Sequence, residues 1–385
     1  LAPPYDVIGS AEQEQLYQAS PYNIVRLILG KQDPGDTETD NRYTRAHRNF
    51  DAWRSSRVLQ PDAVPAIYLV EHTFPDGGSE RSRLGFIALM ELGDGVERSV
   101  YRHEATLDAP KRDRTKLLEA VPATLEPIFC LYPDAEGEVQ GRLQSLTTHL
   151  TPTAQATITD GTIRVWLVEE PDPLQGIVRH LASAAVLIAD GHHRFEVAYA
   201  NRHRYGTLMT YFVSMADPSL VMRPIHRIVP YSADEARLRT LCRLERAADI
   251  EAVMTWLRDE SGEGCFGYFD GQSLYRVRLH PERLASWLAA PSVPAPLAAL
   301  DVSLLHELIL PGVSKDRGVG RCTYTVEASQ AIRAVQQGEG STAWLMRGIP
   351  LSQVYALASQ GLSLPPKSTF FYPKVPSGVT INPLT

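Results

Sequence analysis

Cysteine is scarce in this 385-residue chain: Cys130, Cys242, Cys265 and Cys322 stand far apart, with no CxxC pair. Such spacing excludes a zinc ribbon and supplies no disulfide framework, which fits a reducing cytoplasm. No apolar run of about 18 residues occurs, so no membrane span is expected. A basic excess is missing as well. Lys and Arg number 38 against 45 Asp and Glu, giving a formal net charge of −7. A general nucleic-acid or anionic-membrane surface is therefore not expected. The familiar nucleotide motifs are absent: there is no GxxxxGK(S/T) loop, and no GxGxxG opens a helix after a strand. HExxH is absent too, because His103-Glu104 lacks a second histidine at the required spacing. The adjacent His192 and His193 point in different directions on a helix, which makes them a poor chelating pair and a zinc enzyme unexpected. No internal repeat is visible.

What is present is a 44% hydrophobic composition, enough for a large core and two domains. The chain opens on Leu1-Ala2-Pro3-Pro4-Tyr5-Asp6-Val7 without an initiating Met or a signal peptide. That is the pattern expected when an upstream piece is missing. Ser10 and Gln13 read as a capping box for a helix near 11–19. Tyr43, Ala46, Phe50 and Trp53 give one apolar face to a helix over 40–57. Strands at 66–70 and 84–89 flank the turn signal Pro75-Asp76-Gly77-Gly78. Pro110 sits where a helix running to Ala120 would begin. Further strands are expected at 127–132, 163–168, 185–189, 208–215 and 221–229, with helices near 173–183 and from the His192 turn to about Arg204. Residues 231–260 read as mostly helical, 265–279 as a hairpin around Asp270-Gly271, and Pro291 to Pro296 as a linker or loop. Leu364 to Thr385 reads as a loop-like tail. Irregular alternation with several hairpins predicts an α+β protein with a mixed sheet.

The strongest chemical signal is Ala189-Asp190-Gly191-His192-His193-Arg194. A buried strand ends in Asp190, Gly191 turns the chain, and three potential cations occupy the first helical turn. Free backbone N–H groups and the positive dipole end lie there, so the position attracts anions. Three cations would oppose the dipole unless a bound phosphate removed the conflict. The plain alternative makes Asp190 an N-cap and the histidines neutral and solvated. A second segment, Tyr101 to Arg114, starts a helix with Lys111, Arg112 and Arg114, where acids are usual; its alternative is a solvated basic face. Glu104 and Asp190 together match the general base and Mg²⁺ ligand of phosphoryl transfer, although an isolated glutamate is more often a surface salt bridge. In the tail, Lys367, Ser368, Thr369 and Lys374 stand among prolines and aromatics and reach for an anion, or simply pack on the surface.

Taken in order, Pro3-Pro4-Tyr5-Asp6-Val7, His103-Glu104 with Lys111-Arg112-Asp113-Arg114, Pro127-Ile128-Phe129, Ala189 to Arg194, and Pro365 to Lys374 resemble one family. It is a bacterial and archaeal family long catalogued as a domain of unknown function and described as SerK-like, after free L-serine kinases. The resemblance spans the chain from residue 1 to the tail. Its turn is similar to the phosphate-binding turn of the ParB and sulfiredoxin superfamily, whose serine kinases use ADP or ATP with Mg²⁺. The resemblance implies a ParB/sulfiredoxin-like nucleotide-binding region over 1–225, a second α+β region over 226–363, and a tail over 364–385 closing the site. It implies nucleotide phosphates on Gly191, His192, His193 and Arg194, helped by Lys111, Arg114 and Lys367. Glu104 is implied as the base toward a small hydroxyl substrate, with Asp190 holding the metal. Sulfiredoxin's cysteine has no counterpart beside His192 and His193, so sulfinic-acid reduction is not expected.

The expected activity is phosphoryl transfer from ATP or ADP to a small-molecule hydroxyl, free L-serine leading. The alternatives are a nucleotide-sensing module without turnover and a metal-dependent phosphoesterase. The expected protein is cytoplasmic, with no nucleic-acid or membrane partner, and its oligomeric state is not set by the sequence.

Overall fold

The computed structural model describes residues 1–169, 171–314 and 322–384. The chain forms two compact units. The first comprises Leu1–Arg102, Thr106–Val221 and Pro373–Thr385, and the second His103–Ala105 and Met222–Tyr372. The main division lies at 221/222. The tail is divided between the units, with residues 373–385 returning to the first.

The first unit is built on an eight-stranded mixed sheet. Its order is Val100–Tyr101, Val186–Asp190, Ile128–Tyr132, Thr207–Ser214, Ser79–Glu91, Ile67–Asp76, Gly161–Val168 and Ala154–Ile158. Ile128–Tyr132 runs parallel to Thr207–Ser214 and antiparallel to Val186–Asp190, which bears out the mixed α+β class. All five residues of both Ile128–Tyr132 and Val186–Asp190 are buried. This explains their continuous apolar runs, since a strand covered on both faces has no polar side to alternate with. One sheet face packs a core around Phe86, Ile128, Ile188, Phe195 and Phe212. The hairpin at 75–78 forms as expected, with Gly77 and Gly78 at φ 59° and 83° in the backbone region that tight hairpin turns demand.

A second cluster in this unit gathers Val25, Leu27, Ala46, Phe50, Trp53, Leu117 and Val121. Its helix Arg42–Ser55 buries Ala46, Phe50 and Trp53, as the spacing predicted, and is capped by Asn41 in a capping box. The box expected at Ser10 does not form. Gly9 is the cap of Ser10–Ala19 and no side chain caps that helix, because Gln13 instead donates its amide to the Leu29 carbonyl at 2.8 Å. The tail closes the unit: Ser377 bridges Ala2, and Asn382–Pro383 pairs with Ala123–Thr124.

The second unit holds a six-stranded antiparallel sheet in the order Cys242–Arg246, Leu274–Leu279, Cys265–Phe269, Thr342–Leu345, His226–Val229 and Thr323–Thr325. Its core is formed by Val253, Leu257, Phe269, Ile332, Val335 and Leu345. Residues 231–260 depart from the expected helical stretch. Cys242–Arg246 is a strand between helices Glu235–Leu241 and Ile250–Asp259. Its Leu, Arg and Glu favour helix locally, but pairing with Leu274–Leu279 overrides that weak preference.

Candidate functional site

The strand-to-helix turn forms as read. Asp190 ends its strand opposite Phe129, and Gly191 follows at φ 94°. A Cβ at Gly191 would lie 2.9 Å from Ile128 Cγ2, so both backbone angle and space call for glycine there. Helix His192–Ala200 begins immediately after, with no acidic residue in its first turn. The first bond closing that turn runs from the Phe195 N–H to the Gly191 carbonyl at 2.9 Å. The N–H groups of His192, His193 and Arg194 precede it and point out of the helix N-terminus, where an anion binds. Gly191→Ala is expected to destabilise the protein by about 1–3 kcal/mol, read as a lower urea midpoint. An unchanged midpoint would show that the turn tolerates a side chain.

Asp190 is not a helix cap: Gly191 holds that position and no side chain caps the helix. Its carboxylate is buried, and each oxygen faces a cation. Oδ2 accepts from Arg194 Nη2 at 2.8 Å, and Oδ1 pairs with the Lys374 ammonium. Burial alone would raise the Asp190 pKa, but Lys374 and Arg194 outweigh it and hold it at about 2. Lys374 and Arg194 thus meet on one buried carboxylate, and Glu126 adds a second negative charge near Arg194. Each Asp190 oxygen already faces a cation, so a Mg²⁺ ion there would share the carboxylate with Lys374 and Arg194. No group of three or more His, Cys, Asp or Glu side chains is placed to hold a metal ion among the described residues.

Arg194 is similarly built in. It donates Nη1 to the Pro127 carbonyl as well as Nη2 to Asp190. Burial disfavours its charge, yet Glu126 and Asp190 raise its pKa above the usual arginine value. Arg114, expected at the phosphate, is employed elsewhere. It donates to Asp113 through Nε at 2.9 Å and to Glu126 through Nη1 at 3.4 Å, while its guanidinium lies 3.8 Å from the Tyr5 ring centroid. Glu126 also accepts from the Tyr5 N–H at 3.1 Å and the Ser377 hydroxyl at 2.9 Å. One buried carboxylate therefore ties together the opening Pro3-Pro4-Tyr5 segment, the Lys111–Arg114 helix and the tail.

The expected basic helix start near Pro110 is also revised. Helix Asp108–Ala120 begins two residues earlier, on an acid that suits its dipole. The preceding residues reach the His-His-Arg helix. The Leu107 N–H donates to His193 Nε2 at 2.9 Å, and the Thr106 hydroxyl donates to Glu196 at 2.7 Å. A ring nitrogen that accepts belongs to an imidazole unprotonated there, so Nε2 of His193 does not donate to phosphate. Lys111 is 3.4 Å from Glu196 and 3.3 Å from Asp108, which raise its pKa, Asp108 foremost. His192 is buried at the helix start.

Glu104 and Lys367 belong to the second unit. Glu104 forms a parallel bridge with Leu364. Beside it, His103 is buried with Nε2 at 2.8 Å from the Thr369 hydroxyl, so the His-Glu motif meets the Pro365–Tyr372 segment within one unit. Lys367 has φ 60°, uncommon for a side-chain-bearing residue, and its carbonyl accepts from Arg227 Nη2 at 2.9 Å.

The sequence reading missed two supports of the turn in the first unit. Glu126 stands just before the Pro127-Ile128-Phe129 motif, and only the fold reveals its three partners. Arg83 gave no signal: it closes the polar run 79–83 ahead of the apolar stretch from Leu84, and only the fold buries it. It is almost fully buried, lies over the Phe129 and Tyr211 rings, and donates to the Pro373 carbonyl at 2.8 Å. That bond seats the residue next to Lys374.

Among the described residues no helix is long and apolar enough to cross a membrane. A sequence search of curated proteins finds no match. By structure, the chain is similar to a free serine kinase in complex with AMP, at 14% identity and TM-score 0.40, covering 77% of this chain and 91% of that one. It is similar to a conserved hypothetical protein from Pyrococcus furiosus, at 14% identity and TM-score 0.36, covering 76% and 93%. It is also similar to SbnI with C-terminal truncation from Staphylococcus aureus, at 9% identity and TM-score 0.39, covering 76% and 85%. Over residues 1–303 the chain matches the model of the family described as protein of unknown function, DUF1015, and it belongs to that family.

Proposed function

We propose that this protein is a small-molecule kinase, transferring a phosphoryl group from ATP or ADP to a hydroxyl acceptor, free L-serine foremost. The observation that carries the reading is the Asp190–Arg194 turn. Outward N–H groups at a helix start stand beside the cations Arg194 and Lys374, an arrangement suited to nucleotide phosphates. In this reading the backbone of His192, His193 and Arg194 receives the phosphates. Arg194 and Asp190 hold the turn in shape, and Lys374 adds charge. Lys111 supplies longer-range positive charge.

Glu104 takes the proton of the acceptor hydroxyl. The hydroxyl oxygen then bonds to the terminal phosphorus, and the bond from that phosphorus to the bridging oxygen breaks. The products are a phosphate monoester and a nucleotide one phosphate shorter. Mg²⁺, as the usual companion of nucleotide phosphates, would neutralise their charge, and no residue of this chain is assigned to it.

Phosphorus NMR of the protein with Mg²⁺, ATP or ADP, and excess L-serine tests the reading. An O-phosphoserine resonance is expected, and Glu104→Gln should weaken it by about 100-fold or more while nucleotide binding persists. Retained binding without turnover of any hydroxyl acceptor would instead establish a sensing module. Nucleotide affinity unchanged by alanine at both Lys374 and Arg194 would remove the site from the turn.

A further inference from the structure

The second unit contains a cleft of about 680 Å³ that the proposed chemistry leaves unused. Arg227, Arg258, Met222, Met254, Met346 and Ile349 are among its lining residues. Arg227 is 2% exposed, yet its bonded partners are all neutral. Nε donates to His306 Nε2 at 3.2 Å, Nη1 to the Ile225 carbonyl, and Nη2 to the Lys367 carbonyl at 2.9 Å. No carboxylate lies within ion-pair distance of it among the described residues. A buried cation without a counter-charge is costly, and a guanidinium carries five N–H donors, of which three are used here. Arg258, exposed at the end of helix Ile250–Asp259, likewise makes no ion pair among the described residues. The acids nearby are differently placed: Asp301 is paired with Arg347, Glu260 with Arg278, and Glu263 is exposed.

We propose that this cleft binds a small organic anion with an apolar body. The carboxylate or phosphate head sits on Arg227 and Arg258, and the body lies against the three methionines and Ile349. Methionine side chains adapt to irregular apolar shapes, which suits such a body. The ligand supplies the negative charge that the described residues do not place beside Arg227. This site does not depend on the kinase reading, and either can fail without the other.

The full-length chain is titrated with 1-anilinonaphthalene-8-sulfonate, a fluorescent anion with an aromatic body, and then with octanoate or octyl phosphate as competitors. Saturable one-site binding is expected, and the competitor that displaces the probe names the head group. Arg227→Met risks the fold, so two gentler variants carry the test. Arg258→Glu should weaken binding by about tenfold. Gly348→Leu should abolish it by filling the cleft, where an added Cβ meets nothing closer than the Met222 carbonyl at 3.5 Å. Both variants should keep the parent circular dichroism. Absence of saturable binding, binding indifferent to both variants, or displacement by neither competitor would overturn the proposal.

Discussion

Asp190→Ala is expected to lower the stability of the first unit by about 3–5 kcal/mol and to loosen the tail beyond residue 372. The carboxylate accepts from Arg194 and pairs with Lys374 in a buried setting. Its removal leaves two cations facing each other where water screens them poorly. Pro373 would still be held by Arg83, and Ser377 by Glu126. The loss should therefore centre on Lys374 rather than spread to Asn382–Pro383. Urea denaturation reads the energy, and limited proteolysis reads the tail. Lys374→Met removes a cation and its desolvation together, so it should cost less than Asp190→Ala. The double variant should cost less than the sum of the two, because they share one interaction. A midpoint for Asp190→Ala within experimental error of the parent would show that the ion cluster does not hold the turn.

Acid should unfold the protein well before ordinary carboxylates titrate. Burial, reinforced by Arg83, depresses the His72 pKa to about 3. Burial and Arg227 together hold His226 and His306 at about 4. Two of these rings accept hydrogen bonds that require an unprotonated nitrogen. His226 Nδ1 accepts from the Met346 N–H at 3.0 Å, and His306 Nε2 accepts from Arg227. Unfolded, each histidine titrates near 6.5. Between that value and the folded pKa the unfolded chain binds more protons, so stability falls as pH falls through this window and is fully present above it.

Each histidine loses on the order of 3 kcal/mol by pH 4, a large share of the roughly 5–15 kcal/mol typical of a domain. Thermal midpoints measured from pH 8 to pH 4 should be level above about pH 7 and drop steeply below about pH 6. His72→Leu should flatten part of the drop, since leucine takes up no proton. A flat profile down to pH 4 would contradict the buried neutral histidines.

Much of the turn was legible because its determinants are local. A continuous apolar run, a glycine needed at positive φ, and three basic residues at the helix start lie within ten consecutive positions. The same holds for the helix face of Ala46, Phe50 and Trp53 and for the hairpin at Gly77-Gly78. The start of the helix at Asp108 was misjudged because Pro110 is equally acceptable two residues inside. The strand Cys242–Arg246 was hidden because its partner lies some 30 residues onward, and short-range preference cannot register that pairing.

Local chemistry of this kind made the mixed α+β class, the strand-glycine-helix turn and the family membership readable from residues alone. The fold alone assigned the partners: Lys374 paired with Asp190, Glu126 joining the opening segment to the tail, and Arg227 buried with no carboxylate in ion-pair distance among the described residues. Each of these joins residues far apart in the chain, more than a hundred positions apart in the Lys374 and Glu126–Ser377 pairs. Such a contact depends on which cation is desolvated beside which carboxylate, and that is a property of packing rather than of any short stretch of sequence.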